Sequence, residues 1–156
     1  MKALVVYYSQ SGVTRTMAED IAAALNAEIE ELHDTVKRGG PMGFVHAGSE
    51  AGAEKLTVIE PTTRNPADYD LAIIGTPTWA GKMCPATRTY LTQNKDKLNK
   101  VAFFCACAFG RSQPVLDDMA RVTGKTPLAQ IFVKRGERKS ESYRQAIGQF
   151  VDAIQG

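Results

Sequence analysis

Apolar residues in this chain form short continuous runs that alternate with amphipathic segments. Runs rich in Val, Ile, Phe and Tyr predict buried strands at residues 2–8, 71–75, 101–105 and 131–133. Residues 27–32 alternate only loosely, which favours a further strand near a sheet edge. Continuous rather than alternating apolar strands are typical of parallel sheets that are covered on both faces.

Between the strands, apolar residues recur at helical spacing. The first helix begins directly after the first strand, and a second has Pro85 near its first turn. A third starts near Ser112, and a closing helix follows the last strand. The inward faces carry Met17, Ile21 and Leu25 in the first helix, Val115, Met119 and Val122 in the third, and Tyr143, Ile147, Phe150, Val151 and Ile154 in the last.

Residues 34–66 have a weaker pattern. A modest helix at 44–55 and a short strand at 58–59 are the elements we expect there, and the pattern leaves the rest of the segment open. The alternation of strands and helices predicts an α/β fold in three layers. Its five parallel strands take the order 2-1-3-4-5 with helices on both faces, in one domain that spans residues 1–156.

The first strand runs into a turn of small hydroxyl residues around Gly12. The turn lies at the amino end of a helix, where free N–H groups and the helix dipole favour an anion. Ser9, Ser11 and Thr14 add hydroxyl donors, so the turn is a candidate phosphate site. The alternative is that Ser11 merely caps the helix. Neither a G-x-x-x-x-G-K nor a G-x-G-x-x-G motif is present.

Two further loops follow strands that end at the same edge of the predicted sheet. Residues 76–83 are small and polar around a single tryptophan, Trp79, and residues 106–110 are small. Because carboxyl ends of parallel strands meet at one edge, the three loops are expected to surround one ligand. A phosphate would lie at the first loop, a flat group would lie against Trp79, and residues 106–110 would form the third wall.

Composition narrows the function classes. Lys and Arg number 19 against 17 Asp and Glu, a net charge of +2, which gives no indication of nucleic-acid binding. No apolar run is long enough to cross a bilayer, and the first one leads straight into the patterned turn rather than a cleavage site. Three cysteines without zinc spacing favour reduced thiols in the cytoplasm. His33 and His46 have no metal-ligand partners at useful spacing, and the charged turn at 134–139 is expected to be a solvated connection.

The residues of the first two loops resemble the flavodoxin-like family. The segment 8–14, Tyr-Ser-Gln-Ser-Gly-Val-Thr, is similar to the FMN phosphate loop of flavodoxins, roughly T/S-x-T/S-G-x-T. Residues 75–83 resemble the second flavin loop of a wider group that includes FMN-dependent quinone reductases. The resemblance extends over essentially the whole chain.

The resemblance implies FMN as the cofactor and no metal. The first loop would hold the phosphate, the second would line the ribityl chain and the ring with Trp79 stacked on it, and the third would close the other side. The residues so implied are Ser9, Gln10, Ser11, Gly12, Val13, Thr14, Thr76, Pro77, Thr78, Trp79, Ala80, Gly81, Ala106, Cys107, Ala108, Phe109 and Gly110. The implied function is electron transfer to a redox partner protein, with an NAD(P)H-dependent quinone or flavin reductase as the alternative.

Three features depart from the family pattern. Val13 replaces a residue that is often polar, and Phe109 replaces a common tyrosine. Electron-shuttling flavodoxins are typically strongly acidic, whereas this chain is slightly basic. The slightly basic net charge therefore does not decide between an electron carrier and a small reductase.

Two hypotheses from other classes remain. Residues 105–112 fit C-x5-R-S, the phosphate loop of cysteine-dependent phosphatases, with Cys105 as the nucleophile, activated by the amino end of the next helix and by Arg111. Against this, Cys105 and Cys107 have the character of small buried apolar residues. The other hypothesis is a flavin-free binding module, in which Trp79 is a loop-packing aromatic.

Overall fold

The computed structural model describes residues 1–36, 48–108 and 112–156. Its strands are β1 (Ala3–Tyr7), β2 (Glu28–Glu31), β3 (Leu71–Trp79), β4 (Lys82–Met83), β5 (Lys100–Cys107) and β6 (Gln130–Lys134). Its helices are α1 (Val13–Leu25), α2 (Pro85–Asn94), α3 (Gln113–Thr123) and α4 (Glu141–Gln155). Residues 48–52 are also helical, and 3₁₀ turns lie at Pro66–Asp68 and Arg135–Glu137.

The sheet has the order β2-β1-β3-β5-β6, and every pair along this path is parallel. This is the predicted arrangement of five parallel strands. The two-residue strand β4, which pairs antiparallel with the end of β3, is an addition that the sequence pattern did not predict.

Alternate residues of each central strand face two separate cores. Val5 and Ile73 point into the core under α1 and α4, whereas Val6 and Ile74 point into the core under α2 and α3. All four side chains are fully buried. The continuous apolar runs are therefore explained by helices on both faces, as predicted.

The central strands are longer than the sequence pattern indicated. β3 continues past Gly75 to Trp79, and β5 continues past Cys105 to Cys107. β1 ends opposite Gly75, so the next residues of β3 have a parallel partner on one side only. That partner is β5, which pairs with β3 as far as Pro77 opposite Ala106. A strand with one free side tolerates a proline, so Pro77 does not end the strand.

The segment before β3 differs from its prediction. Residues 58–59 form no strand but a single bridge between Ile59 and Asp34, and Val58 is 69% exposed. An exposed valine gives no burial energy to a strand. Residues 53–55 are not helical, and residues 44–47 of the helix predicted at 44–55 lie outside the described residues.

The predicted helices are confirmed with shifted ends. Ser112 is the residue before α3, in which Val115 and Met119 are buried and Val122 is half-buried. The inward residues predicted for α4 are all buried. Among the described residues, no helix combines the length and apolar character that a membrane span requires.

Candidate functional site

A cleft of about 320 Å³ opens at the carboxyl edge of the sheet. Its walls come from the segments that follow β1 and β6 and from the ends of β3 and β5. The described residues that line it are Gln10, Ser11, Val13, Thr14, Pro77, Thr78, Trp79, Ala106, Cys107, Ala108 and Arg135. The three predicted loops therefore meet at one edge, together with a fourth segment.

The turn after β1 leaves the amino end of α1 without a protein cap. Gly12 precedes the helix with φ of 93°, a conformation that glycine adopts without strain, and no side chain caps the helix. The interpretation of Ser11 as a helix cap is therefore wrong. Within the described chain, the backbone amides of Val13, Thr14 and Arg15 donate to no protein acceptor.

Two hydroxyl side chains of this turn line the cleft. Ser11 is exposed and Thr14 is only 2% exposed, and neither hydroxyl has a hydrogen-bond partner in the described chain. Gln10 and Val13 also line the cleft. Ser9 and Gly12 do not; the Ser9 hydroxyl instead accepts a hydrogen bond of 3.0 Å from the Gly12 amide and stabilises the turn.

The second loop is a hairpin rather than an irregular loop. Trp79 pairs with Lys82 across Ala80 and Gly81, whose φ values are 50° and 74°. Positive φ at both turn residues is the type I′ geometry that matches the twist of a hairpin. Ala80 and Gly81 were predicted to contact the cofactor, but they form the turn and do not line the cleft.

Trp79 is half-buried on the wall of the cleft. Its ring meets the ring of Tyr8 edge to face, with centroids 5.5 Å apart and planes at 90°. Edge-to-face contact is a favoured arrangement for aromatic pairs. Tyr8, which the sequence analysis did not assign to the site, therefore restricts the orientation of Trp79.

Thr76 lies beneath the site and not in it. Its side chain is fully buried, and its hydroxyl accepts a hydrogen bond of 3.1 Å from the Cys84 amide. The prediction that Thr76 lines the ribityl chain fails because its side chain points to the α2 side of the sheet, where it anchors the start of that helix. Pro77 and Thr78, which follow it, do line the cleft.

The third wall is the end of a strand and the residue after it. Ala106 and Cys107 belong to β5, in contrast to the loop that was predicted, and Ala108 follows them. All three line the cleft, and their small side chains leave room against this wall. Phe109 and Gly110 lie outside the described residues.

The geometry contradicts the phosphatase hypothesis. Cys105 is fully buried within β5, and burial raises the pKa of its thiol to about 12. A cysteine nucleophile needs a lowered pKa and access to substrate. Arg111, the other residue of that motif, lies outside the described chain.

Arg135 was missed because the charged turn after the last strand was interpreted as a solvated connection. It lines the cleft and makes no ion pair among the described residues. The rule applied to the other three strands, that carboxyl ends of parallel strands share one edge, also applies to β6 and would have found it. Arg15, in contrast, pairs with Glu31, which raises the pKa of the guanidinium, and it does not line the cleft.

Similar folds occur among solved structures. A flavoprotein from Lactobacillus acidophilus in complex with FMN aligns over 92% of this chain and 98% of its own, with 24% identity and a TM-score of 0.70. A candidate flavoprotein from Bacteroides eggerthii aligns over 99% and 98%, with 19% identity and a TM-score of 0.80. Two-electron reduced flavodoxin from Megasphaera elsdenii aligns over 99% of both chains, with 17% identity and a TM-score of 0.62.

No model of a known protein family matches the sequence. The structural similarity covers nearly the full length of each of these proteins, and the strand order is the same as the one predicted from the sequence. The chain therefore has the flavodoxin-like fold.

Proposed function

We propose that this protein binds FMN non-covalently in the cleft and transfers electrons through it. The observation that carries the proposal is the amino end of α1, where the amides of residues 13–15 and the hydroxyls of Ser11 and Thr14 have no hydrogen-bond partner among the described residues. Ser11, Val13 and Thr14 line the same cleft as Trp79. A phosphate needs such donors, and a flavin ring needs an aromatic wall. The flavoprotein from Lactobacillus acidophilus contains FMN, which supports the same assignment here.

The phosphate would be held by the turn after β1. The amides of Val13, Thr14 and Arg15 and the hydroxyls of Ser11 and Thr14 supply donors without a metal ion. The positive end of the α1 dipole adds to the attraction for an anion. Hydrogen bonds to a charged phosphate are stronger than those between neutral groups.

Arg135 would compensate part of the negative charge of the cofactor. It is the one cationic side chain among the described residues that line the cleft. Because it is exposed and unpaired in the described chain, it can turn toward an anionic group without breaking an ion pair. A cation near the cofactor also favours its reduced, more electron-rich form.

The ring would lie between Trp79 on one side and the wall of Ala106, Cys107 and Ala108 on the other. Tyr8 holds Trp79 from the edge, so the indole is positioned before the cofactor binds. When bound, FMN supplies the reversible uptake of electrons, while the chain binds, orients and tunes it.

A carrier that exchanges electrons with another protein is our first assignment. A reductase that takes electrons from NADH or NADPH and passes them to a quinone is the alternative that assays separate. All three cysteines are buried and unpaired, which agrees with the proposed cytoplasmic location.

Purified protein incubated with FMN and freed of excess cofactor tests the proposal. We expect a yellow protein whose visible absorbance is lost on anaerobic addition of dithionite and returns with an oxidant. NADH or NADPH oxidation in the presence of a quinone would identify the reductase. A protein that stays colourless after incubation would contradict FMN binding and favour a flavin-free module.

A further inference from the structure

The end of β6 and the turn after it are strongly basic and flank the cleft. Residues 134–139 contain Lys134, Arg135, Arg138 and Lys139 against one acid, Glu137. All four cationic residues are exposed, and none of them forms an ion pair with another described residue. We call these four residues the basic rim.

The basic rim is adjacent to the site by two observations. Arg135 itself lines the cleft, and Lys134 ends β6 directly opposite Cys107, another lining residue. The nearby acids do not cancel this charge. Glu141 is paired with Arg144, and Asp20 shares a groove with Lys139 and accepts a hydrogen bond from the neutral Tyr143 hydroxyl. The four cations therefore remain in excess over Asp20 and Glu137.

We propose that the basic rim is the docking surface for an acidic face of the protein with which this chain exchanges electrons. The inference rests on the proposed function, since it needs a flavin in the cleft. An electron passes between the reduced flavin of one protein and the oxidised centre of the other, and no bond forms between them. A positive rim attracts a negatively charged surface and orients it toward the cleft.

The form of the rim favours a protein over a dinucleotide. Small-molecule sites are concave and enclose most of their ligand. Lys134 is the last residue of β6, Arg138 and Lys139 follow on the exposed turn, and none of the three lines the cleft. Lys139 lies at a separate open groove with Asp20, so the charge is spread over a surface. Spread-out exposed charge is typical of surfaces that steer association between proteins.

Charged oxidants test the sign of the field at the flavin. Protein loaded with FMN and reduced under anaerobic conditions is mixed with hexacyanoferrate(III), an anion, or with hexaammineruthenium(III), a cation. Each metal complex accepts one electron, so two are consumed per fully reduced flavin, and the flavin protons go to the solvent. We expect the rate with the anion to fall as salt increases and the rate with the cation to rise.

The matched variants each remove three positive charges. One carries Lys134→Gln, Arg138→Gln and Lys139→Gln, and it leaves Arg135 in place. The control carries Lys95→Gln, Lys97→Gln and Lys100→Gln. These exposed lysines lie at or just before the amino end of β5, away from the carboxyl ends of the strands. Lys100 starts β5, about 23 Å along the strand from Cys107 at its end.

At 0.1 M ionic strength the Debye length is about 10 Å, so the distant charges are screened from the cleft. We expect the rim variant to react with hexacyanoferrate(III) roughly three- to tenfold more slowly than the native protein. The control should change by less than about twofold. Equal rates for the two variants would overturn the proposal, and unfolding temperatures verify that both are folded.

Binding of a twelve-residue oligoglutamate peptide provides a readout that needs no flavin. We expect the native protein and the control variant to bind it, with or without FMN, and the rim variant to bind it at least about fivefold more weakly. Rim-dependent binding of NADPH without binding of the peptide would contradict an acidic protein partner. Failure to bind FMN would instead contradict the proposed function, while the peptide result would still decide the role of the rim.

Discussion

Single side chains at the amino end of α1 decide whether the cleft can hold a phosphate. Thr14 is almost fully buried, yet its hydroxyl has no partner within the described chain and lines the cleft. A hydroxyl kept without a protein partner at the positive end of a helix is best explained by a ligand that accepts its hydrogen bond. The Ser9 hydroxyl, by contrast, accepts a hydrogen bond from the Gly12 amide and does not line the cleft.

Thr14→Val should therefore weaken FMN binding and leave the fold intact. Valine keeps the shape of the side chain and removes one hydrogen bond to a charged phosphate, about 1.5–3 kcal/mol. The expected rise in the dissociation constant is roughly 10- to 150-fold. Quenching of flavin fluorescence measures it. The control is Thr92→Val on α2, which makes the same chemical change outside the cleft; equal affinity for the two variants would remove the phosphate assignment.

Tyr8 is a second single side chain with an expected effect on FMN binding, through its contact with Trp79. Tyr8→Leu removes the aromatic edge that holds the indole, an interaction of about 0.5–1.5 kcal/mol. We expect FMN binding to weaken roughly two- to tenfold, with a shift in the reduction potential. Tyr8→Phe keeps the ring and should lose less affinity than Tyr8→Leu. A loss in Tyr8→Phe equal to that in Tyr8→Leu would show that the hydroxyl, and not the ring, matters.

At the scale of elements, the hairpin of β3 and β4 carries Trp79 on a two-residue turn. Among the described residues, a Cβ at Gly81 would meet no atom within 4 Å, so the cost of a side chain there is conformational. Gly81→Ala places alanine at φ of 74° and should lower the free energy of unfolding by about 1 kcal/mol. Ala80→Asn, at φ of 50°, should be neutral or stabilising because asparagine favours this region.

Urea unfolding of both hairpin variants, followed by the fluorescence of Trp79, measures the difference. The single tryptophan makes the signal specific to this hairpin. If Gly81→Ala is as stable as the native protein, the left-handed turn is not needed to hold Trp79 in place.

A buried ion pair joins α2 and α3, which cover the face of the sheet opposite α1 and α4. Arg88 of α2 donates a hydrogen bond of 2.7 Å to Asp118 of α3, and both side chains are less than a tenth exposed. Burial raises the pKa of Asp118, but the hydrogen bonds and charges of Arg88 and Arg121 outweigh it, and the pKa falls below its ordinary 3.8. The pair therefore stabilises the fold above that pH, and its contribution is lost as the pH falls through the lowered pKa.

Asp118→Asn should cost roughly 3–5 kcal/mol at pH 7, because it leaves the Arg88 charge buried without a partner. The difference from the native protein should stay constant at pH values well above 3.8 and narrow as the pH falls through 3.8 toward the lowered pKa, because the unfolded chain then binds a proton more readily than the native carboxylate does. Urea unfolding at several pH values measures it. A difference that does not change with pH would show that the carboxylate charge contributes nothing.

For the whole molecule, the sequence was sufficient for the order of the parallel strands because their apolar runs are continuous and their helices strongly periodic. The sequence was insufficient where pairing with distant segments determines where a strand or bridge forms and ends. β3 extends to Trp79 only because β5 and β4 pair with it, and no local pattern indicates this. The bridge between Asp34 and Ile59 likewise depends on segments that are distant in the sequence.

In the site, too, features with a local sequence signal could be predicted, and features that depend on the topology could not. The turn after β1 could be predicted because hydroxyl residues around a glycine between strand and helix have a local physical meaning. Thr76 was misplaced because the side-chain alternation of an extended β3 turns it to the other face of the sheet. Arg135 was missed because a run of charged residues is usually solvated, and only the topology brings it to the cleft.

The central claim is that the amino end of α1 holds the phosphate of a flavin whose ring lies against Trp79. Parallel titrations with FMN and with riboflavin, which lacks the phosphate, test it most directly. We expect riboflavin to bind at least about 100-fold more weakly, since it loses two or more charged hydrogen bonds. Equal affinities for the two compounds, or no binding of either, would contradict the claim.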